Sequence, residues 1–414
     1  MRGEVARAAV HGLLGRLRGG RLEVSERGRV RAYGPPGASL RARVEVSDAR
    51  AWSGLLRGST GLGEGYVDGY WSTDELVELV RIACRNLAPF DRWRRRVHPV
   101  VGPVQQVARL VPENTRMGAR SNVSAHYDLG NGLFAAFLDE GKTYSCAYFP
   151  DPEATLERAQ TAKIERLCRV LRVGPDDHLV EIGTGWGSFA VHAATEHGCR
   201  VTTTTISREQ HAFATERVRE AGLADRVTVL LRDYRDLDGT YDKLVSVEMI
   251  EAVGWQYFDT FFRTCARLLK PDGLMALQAI VIGDNAYEAE KASRSFSNKH
   301  VFPGGCLPSR RLITELTAAE TDLRTMWFDD ISAHYARTLA IWRARFNDAW
   351  PRLRPLGYDE RFRRLWNFYL ASSEAGFRER RIGDLQMLFA KPAWRGEREA
   401  VAERVDATGV PAAA

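Results

Sequence analysis

Residues 179–189 read LVEIGTGWGSF, and this order of residue types admits few folds. An apolar run ends in a turn with glycines at 183, 185 and 187, and the helical pattern SFAVHAATEHG follows, closed by Gly198. Gly183 and Gly185 let the backbone approach a ligand where a Cβ would intrude, and Gly187 lets the helix start close to the sheet. The alternation continues through strand RVTTTTIS and helix SREQHAFATERVREAG, with Ser207 and Gln210 as a capping box. Strands RVTVLLRD and KLVSVEM, helix FDTFFRTCARLLK and strand GLMALQAIV complete it. Upstream, KIERLCRVL sets Ile164, Leu167, Cys168 and Leu171 at helical spacing. Repeated strand–helix units predict an α/β class, a Rossmann-like doubly wound, mostly parallel sheet with its ligand at the carboxyl ends of the strands.

The turn also selects among ligands. G-x-G-x-G departs from the G-x-G-x-x-G of dinucleotide sites, which points away from NAD and FAD and toward S-adenosylmethionine. Glu181 stands just before the turn. The next strand ends in TTTTIS, without the acid that usually grips ribose hydroxyls, so Thr205 and Gln210 offer neutral hydrogen bonds instead. After the third strand, Asp233 can accept from an adenine amino group and the Tyr234 ring can cover the base. A plain Rossmann-like core with ordinary turn residues is the alternative.

A chain of 414 residues, 44% hydrophobic and 27% charged, can bury a full core and hold two domains. We expect a small α+β domain over 1–83, a basic linker over 84–120, a catalytic domain over 121–392 and a disordered tail over 393–414. In the first domain, alternation in 21–34 and 39–48 predicts paired strands, AWSGLLRG and DELVELVRIA predict helices, and GLGEGYVDGYW (61–71) predicts a tight packed loop. Residues 308–390 read as mainly helical. The linker mixes arginines with Phe90, Trp93, Val100 and Val101, a pattern that suits either an anionic membrane surface or a solvated connector.

A net charge of +6 and a pI near 9.0 admit nucleic acid or acidic lipid as partners. No target-base motif such as Asn/Asp-Pro-Pro-aromatic is present, and no basic stripe, which argues against nucleic acid. There is no apolar run of the ~18 residues a span needs, and the N-terminus shows no cleavage site after an apolar core, so a cytoplasmic place is expected. The six cysteines are scattered, without C-x-x-C or His/Cys ligand spacing, so neither a disulfide framework nor a metal site is expected.

Taken together, AHYDLGNGLFAAFLDEGKTYSCAYF (125–149), EIGTGWGSF, TISREQ, RDYRDLDGTYDKLVSVEMIEAVG (232–254), HVFPGGCLPS (300–309), SAHYARTLAIWRARF (332–346) and NFYLASSEAGFRERRIGDLQ (367–386) closely resemble the cyclopropane-fatty-acyl-phospholipid synthase family, which includes the mycolic acid cyclopropane synthases. The resemblance covers roughly residues 10–390, including an N-terminal domain that the shorter mycolate enzymes lack. It implies S-adenosylmethionine bound by Tyr144, Ser145, Gly183, Gly185, Thr205, Gln210 and Tyr234. It also implies a bicarbonate held at Cys146, Glu251, Ile280 and Tyr335, with Glu251 holding that ion or tuning its protonation and Tyr335 donating a hydrogen bond.

An isolated alkene is a poor nucleophile, so such an enzyme must align its π electrons with the sulfonium methyl, exclude water, and then quench a carbocation by removing a proton. The resemblance implies bicarbonate as that base. Each residue also has a purely structural role open to it: Glu251 as a helix cap, Cys146 as packing, and His126 as a satisfied local group rather than a guide at the acyl chain's entrance. Departures from the family are Gln278 where many members carry histidine, so that one bicarbonate contact becomes a neutral amide, Ser373 where many carry cysteine, and His300 where tyrosine is common.

The first expectation is methylene transfer across a cis double bond of a phospholipid acyl chain, giving a cyclopropane. The rival within the family loses its proton after a hydride shift and gives a methylene-branched chain that a reductase would saturate. A catalytically idle lipid-binding protein is the reading from another class. The expected partner is a phospholipid bilayer at the inner face of the cell membrane, touched peripherally; a homodimer stays open.

Overall fold

The computed structural model describes residues 2–87, 130–291 and 295–396. The basic linker beyond residue 87, His126 and the tail from 397 lie outside these residues. The chain forms two compact units, one made of 1–111, 288–303 and 339–382, the other of 112–287, 304–338 and 383–414. The units therefore divide the chain differently from the expected boundaries, because two later segments join the N-terminal residues.

In the first unit, strands β1 (Arg21–Glu26), β2 (Arg29–Tyr33), β3 (Arg41–Val46) and β4 (Trp71–Ser72) form a sheet of order β2-β1-β3-β4. The period of two points Leu22, Val24, Ala42, Val44 and Val46 inward. Helix Leu76–Asn86 buries Leu76, Val77, Leu79, Val80 and Ile82 and packs against the long helix Glu360–Arg378. Arg81 and Arg85 clamp Glu379 at 2.8 and 2.7 Å. The predicted loop over 61–71 is instead mostly helix, Gly58–Val67. Its glycines serve close packing: a Cβ on Gly63 would lie 2.2 Å from the Phe296 ring, so the helix can approach that ring only without a side chain there.

The second unit holds a seven-stranded sheet of β5 (His178–Ile182), β6 (Arg200–Thr205), β7 (Val227–Leu231), β8 (Tyr241–Val247), β9 (Leu269–Ile282), β10 (Arg324–Asp330) and β11 (Ile382–Ala390). Its order is β10-β11-β9-β8-β5-β6-β7, parallel from β9 to β7 and antiparallel between β10 and β11. The chain leaves β5 toward β7 on one side and returns to β8 on the other, so a crevice opens at the carboxyl ends of β5 and β8. Residues 308–390, read as mainly helical, thus also supply two strands. β11 is a continuous buried run, which periodicity alone does not separate from a buried helix.

Alternation along β5 sends Val180 and Ile182 to a core with Phe258, Phe261 and Phe262, and Leu179 to a second core with Leu167 and Phe189. Each fully buried phenylalanine contributes roughly 2–3 kcal/mol of transfer free energy. Helix Leu156–Leu171, capped by the Thr155 hydroxyl, covers the second face. Ser207 likewise caps helix Arg208–Glu220 by accepting from Gln210 N, but the Gln210 side chain turns to Thr205 rather than completing a capping box.

Candidate active site

The turn after β5 takes left-handed values at Gly183 (φ +106°), Gly185 (+53°) and Gly187 (+87°). Gly183 N and Thr184 N both donate to Thr204 O at 3.1 Å, which ties the turn to β6. Only Gly185 faces open space, at the cavity wall; a Cβ on Gly183 would press on Met249, and one on Gly187 on Ala214. The open ligand edge is therefore narrower than the three glycines suggest, and Gly187 serves helix packing as expected.

The cavity beside this turn gathers most of the residues expected to hold S-adenosylmethionine. Tyr144 and Ser145 line it from the strap before helix Leu156–Leu171, with Glu181, Gly183 and Gly185 from the end of β5. Thr205, Gln210, Asp233 and Tyr234 complete the far side. The Arg217 guanidinium pins the strap over the turn, donating to Gly141 O at 2.7 Å and Trp186 O at 3.1 Å. Thr205 donates to Gln210 Oε1 at 2.8 Å and orients that amide.

Asp233 spends both carboxylate oxygens on Arg235, at 2.9 and 2.7 Å, so an adenine amino group would share an acceptor already engaged. The Tyr234 ring packs edge-on to Phe261, and burial pushes its hydroxyl well above the ordinary tyrosine range. Burial also pushes Glu181 up to about 8, although Thr203 donates to it at 2.6 Å. The polar rim and apolar walls suit a nucleoside joined to an amino-acid tail.

Deeper in, the residues expected at the base site gather around two carboxyl groups, Glu248 and Glu251. Tyr335 from helix Ser332–Asp348 donates to Glu248 Oε2 at 2.6 Å. Cys146 N and Gln278 Nε2 both donate to Glu248 Oε1 at 2.8 Å. Glu248 also lines the cavity. Ile280 N donates to Glu251 Oε1 at 2.5 Å, and Glu251 Oε2 is buried without a hydrogen-bond partner. Burial, then the charge of Glu248, raises Glu251 to about 8. Gln278 Nε2 lies 3.2 Å from Asp384 Oδ2, and burial with the charges of Glu248 and Glu251 holds that carboxyl protonated far above its usual range.

Lys163 reaches Ser145 Oγ at 2.7 Å, and burial lowers its pKa against the pull of Glu248 and Asp139. The Cys146 thiol is fully buried and pushed well up, which makes it a packing group and not a nucleophile. Three donors assigned to bicarbonate by resemblance, Cys146, Gln278 and Tyr335, are thus engaged by a side chain, and Ile280 N by a second. A further anion would also meet the Glu248 carboxylate that already takes these donors, so the residues present do not fit a free bicarbonate.

Sequence reasoning missed Glu248, Lys163 and Asp384. Glu248 stands three residues before the chosen Glu251, directly after β8, where strand-end position was an available signal. A lysine on a helix's buried face and an aspartate inside an apolar strand leave no such signal. On another surface Glu165, His192 and His197 meet, their ligand atoms within 4.8 Å, against the expectation of no such cluster; Glu165 Oε2 bridges both imidazoles at 3.2 and 3.0 Å. His300 pairs with Glu64 at 3.2 Å inside the first unit.

Among known proteins, the chain is 42% identical over 332 residues to the tuberculostearic acid methyltransferase UfaA1 of Mycobacterium tuberculosis, covering 78% of this chain and 76% of that one. It is 37% identical over 353 residues to the cyclopropane-fatty-acyl-phospholipid synthase of Escherichia coli K12, covering 84% and 87%. The crystal structure of the mycolic acid cyclopropane synthase CmaA1 complexed with SAH and CTAB superposes with a TM-score of 0.62 at 30% identity, over 66% of this chain and 98% of that one. The sequence profile described as mycolic acid cyclopropane synthetase matches residues 114–387. That match spans nearly the whole sheet and both turns that build the cavity: the chain belongs to the mycolic acid cyclopropane synthetase family and is an S-adenosylmethionine-dependent methyltransferase.

Proposed function

We propose that the chain transfers the methyl carbon of S-adenosylmethionine to a cis double bond in the acyl chain of a membrane phospholipid. The observation that carries this reading is a buried carboxylate, Glu248, in the wall of the methyl-donor cavity. Alkylating an alkene leaves a carbocation that must lose a proton, so the chemistry needs a dry site with an acceptor close to the methyl group. When bound, S-adenosylmethionine supplies an electrophilic methyl carbon. Tyr144 and the strap pinned by Arg217 close one side of the cavity.

The alkene π pair forms the new carbon–carbon bond, and sulfur keeps the pair of the bond that breaks. Two endings follow. Loss of a proton from the added methyl with closure onto the cation gives a cyclopropane, supported by the name of the E. coli relative. A hydride shift followed by the same loss gives a methylene-branched chain for a reductase to saturate. The higher identity to UfaA1, whose name specifies fatty-acid methylation rather than ring formation, and Gln278 in place of the common histidine favour this branched ending.

No helix of the described residues is long and apolar enough to cross a membrane. We take the contact with lipid as peripheral, at the inner face of the membrane. The test is incubation of the protein with unsaturated phospholipid vesicles and S-adenosylmethionine, followed by mass spectrometry of the acyl chains before and after catalytic hydrogenation. A one-carbon product that takes up hydrogen as an alkene supports branching, and one that resists it supports the ring. No acyl chain with an added carbon overturns the proposal.

A further inference from the structure

We propose that Glu248 is the proton acceptor of this enzyme, its own carboxylate standing where the resembled family places a free bicarbonate. The inference rests on the alkene reading above. Geometry carries it first: the Cys146 amide, the Gln278 amide and the Tyr335 hydroxyl converge on one carboxylate at 2.6–2.8 Å, and that carboxylate lines the methyl-donor cavity. Three donors satisfy its charge in a dry site.

The backbone supports the same reading. Glu248 holds φ +48°, a left-handed conformation that a residue with a Cβ resists. Its N–H donates to Gln278 O at 2.8 Å, which fixes the carboxylate's direction. Strain held at such a point belongs to sites where a side chain must be aimed.

The neighbours sort the proton load. Burial raises all three carboxyls; at Glu248 the Tyr335, Cys146 and Gln278 donors and the Lys163 charge pull against it, while the Glu248 charge pushes Glu251 and Asp384 further up. Environments that separate the protonation of adjacent carboxyls assign acid and base roles. In the step itself, the Glu248 carboxylate takes a proton from the methyl group carried by the cation. The C–H pair becomes the new carbon–carbon bond of the ring or of the methylene alkene, and Glu248 leaves the step as a neutral acid that returns its proton to solvent as product departs.

The test uses the full chain with unsaturated phospholipid vesicles in carbon-dioxide-free buffer, with and without added bicarbonate or formate. Wild-type turnover is expected to change less than ~2-fold on adding bicarbonate, and Glu248→Gln to lose ~10²–10⁴-fold. Glu248→Gly relaxes the backbone and frees the three donors; it is expected to lose a similar factor and to regain at least ~10-fold with bicarbonate or formate. A wild type that requires bicarbonate, or a Glu248→Gln variant within ~3-fold of wild type, overturns the inference while leaving the alkene reading intact. A wild type that alkylates no acyl chain overturns both.

Discussion

The turns after β5 and β8 lie side by side at the carboxyl edge of the sheet, and both force the backbone into the left-handed region, at Gly183 (φ +106°) and at Glu248 (φ +48°). The first does so with a residue that takes the conformation freely, the second with one that resists it. The first presents backbone to a ligand, the second a carboxylate. On the proposed function, the difference separates the cavity into an end that holds the methyl donor and an end that removes a proton. Substitutions at the first should therefore change affinity, and at the second, rate.

Among the residues around Glu248, Tyr335→Phe should give the largest effect, because it removes the 2.6 Å donor to Glu248 Oε2. We expect kcat to fall ~10²-fold with the dissociation constant of S-adenosylmethionine moving less than ~3-fold. Stopped-assay kinetics paired with calorimetry would separate the two, and a loss confined to donor affinity would erase the distinction between the turns.

Glu251→Gln comes next and is read in stability. Burial lifts both Glu251 and Glu181 to about 8 in the folded protein, so each keeps a proton there that the unfolded chain has lost. The sign follows: the raised carboxyls cost nothing below the ordinary range and draw stability down as pH climbs from ~4.5 toward 8. Thermal melts should show Glu251→Gln gaining up to ~3 kcal/mol over the wild type between pH 5 and pH 8. Equal effects at the two pH values would contradict a buried protonated Glu251.

Gly183→Ala should weaken donor binding ~10-fold through strain and pressure on Met249, with kcat at saturating donor within ~3-fold. Gly185→Ala is the mildest: its Cβ would meet no protein atom within 4 Å. It should cost only the ~1 kcal/mol of left-handed backbone, plus whatever contact the bound donor makes. A ligand-free melting shift larger than that of Gly183→Ala would reverse the order of the two glycines.

The contrast also explains what could be read from the chain. The β5 turn was legible because glycine declares a backbone demand in the sequence itself, and the strands β5 to β9 were legible through their alternation with helices. Glu248 was not, since nothing in SVEMIEAVG says which of two acids lies on the cavity wall and which accepts from Ile280 N. Helix Gly58–Val67 was read as a loop because its glycines serve packing against Gly54 and Phe296. β10 was hidden by its half-exposed pattern, and β11 by an apolar run that fits buried helix and strand alike.

The most direct test of the account supplies S-adenosylmethionine with a fully deuterated methyl group and weighs the acyl products. If the methyl is added to an alkene and then deprotonated at the Glu248 end of the cavity, every one-carbon product retains two of the three deuteriums, whether it closes a ring or branches. Retention of all three would show that no proton leaves the transferred methyl, and would contradict the account.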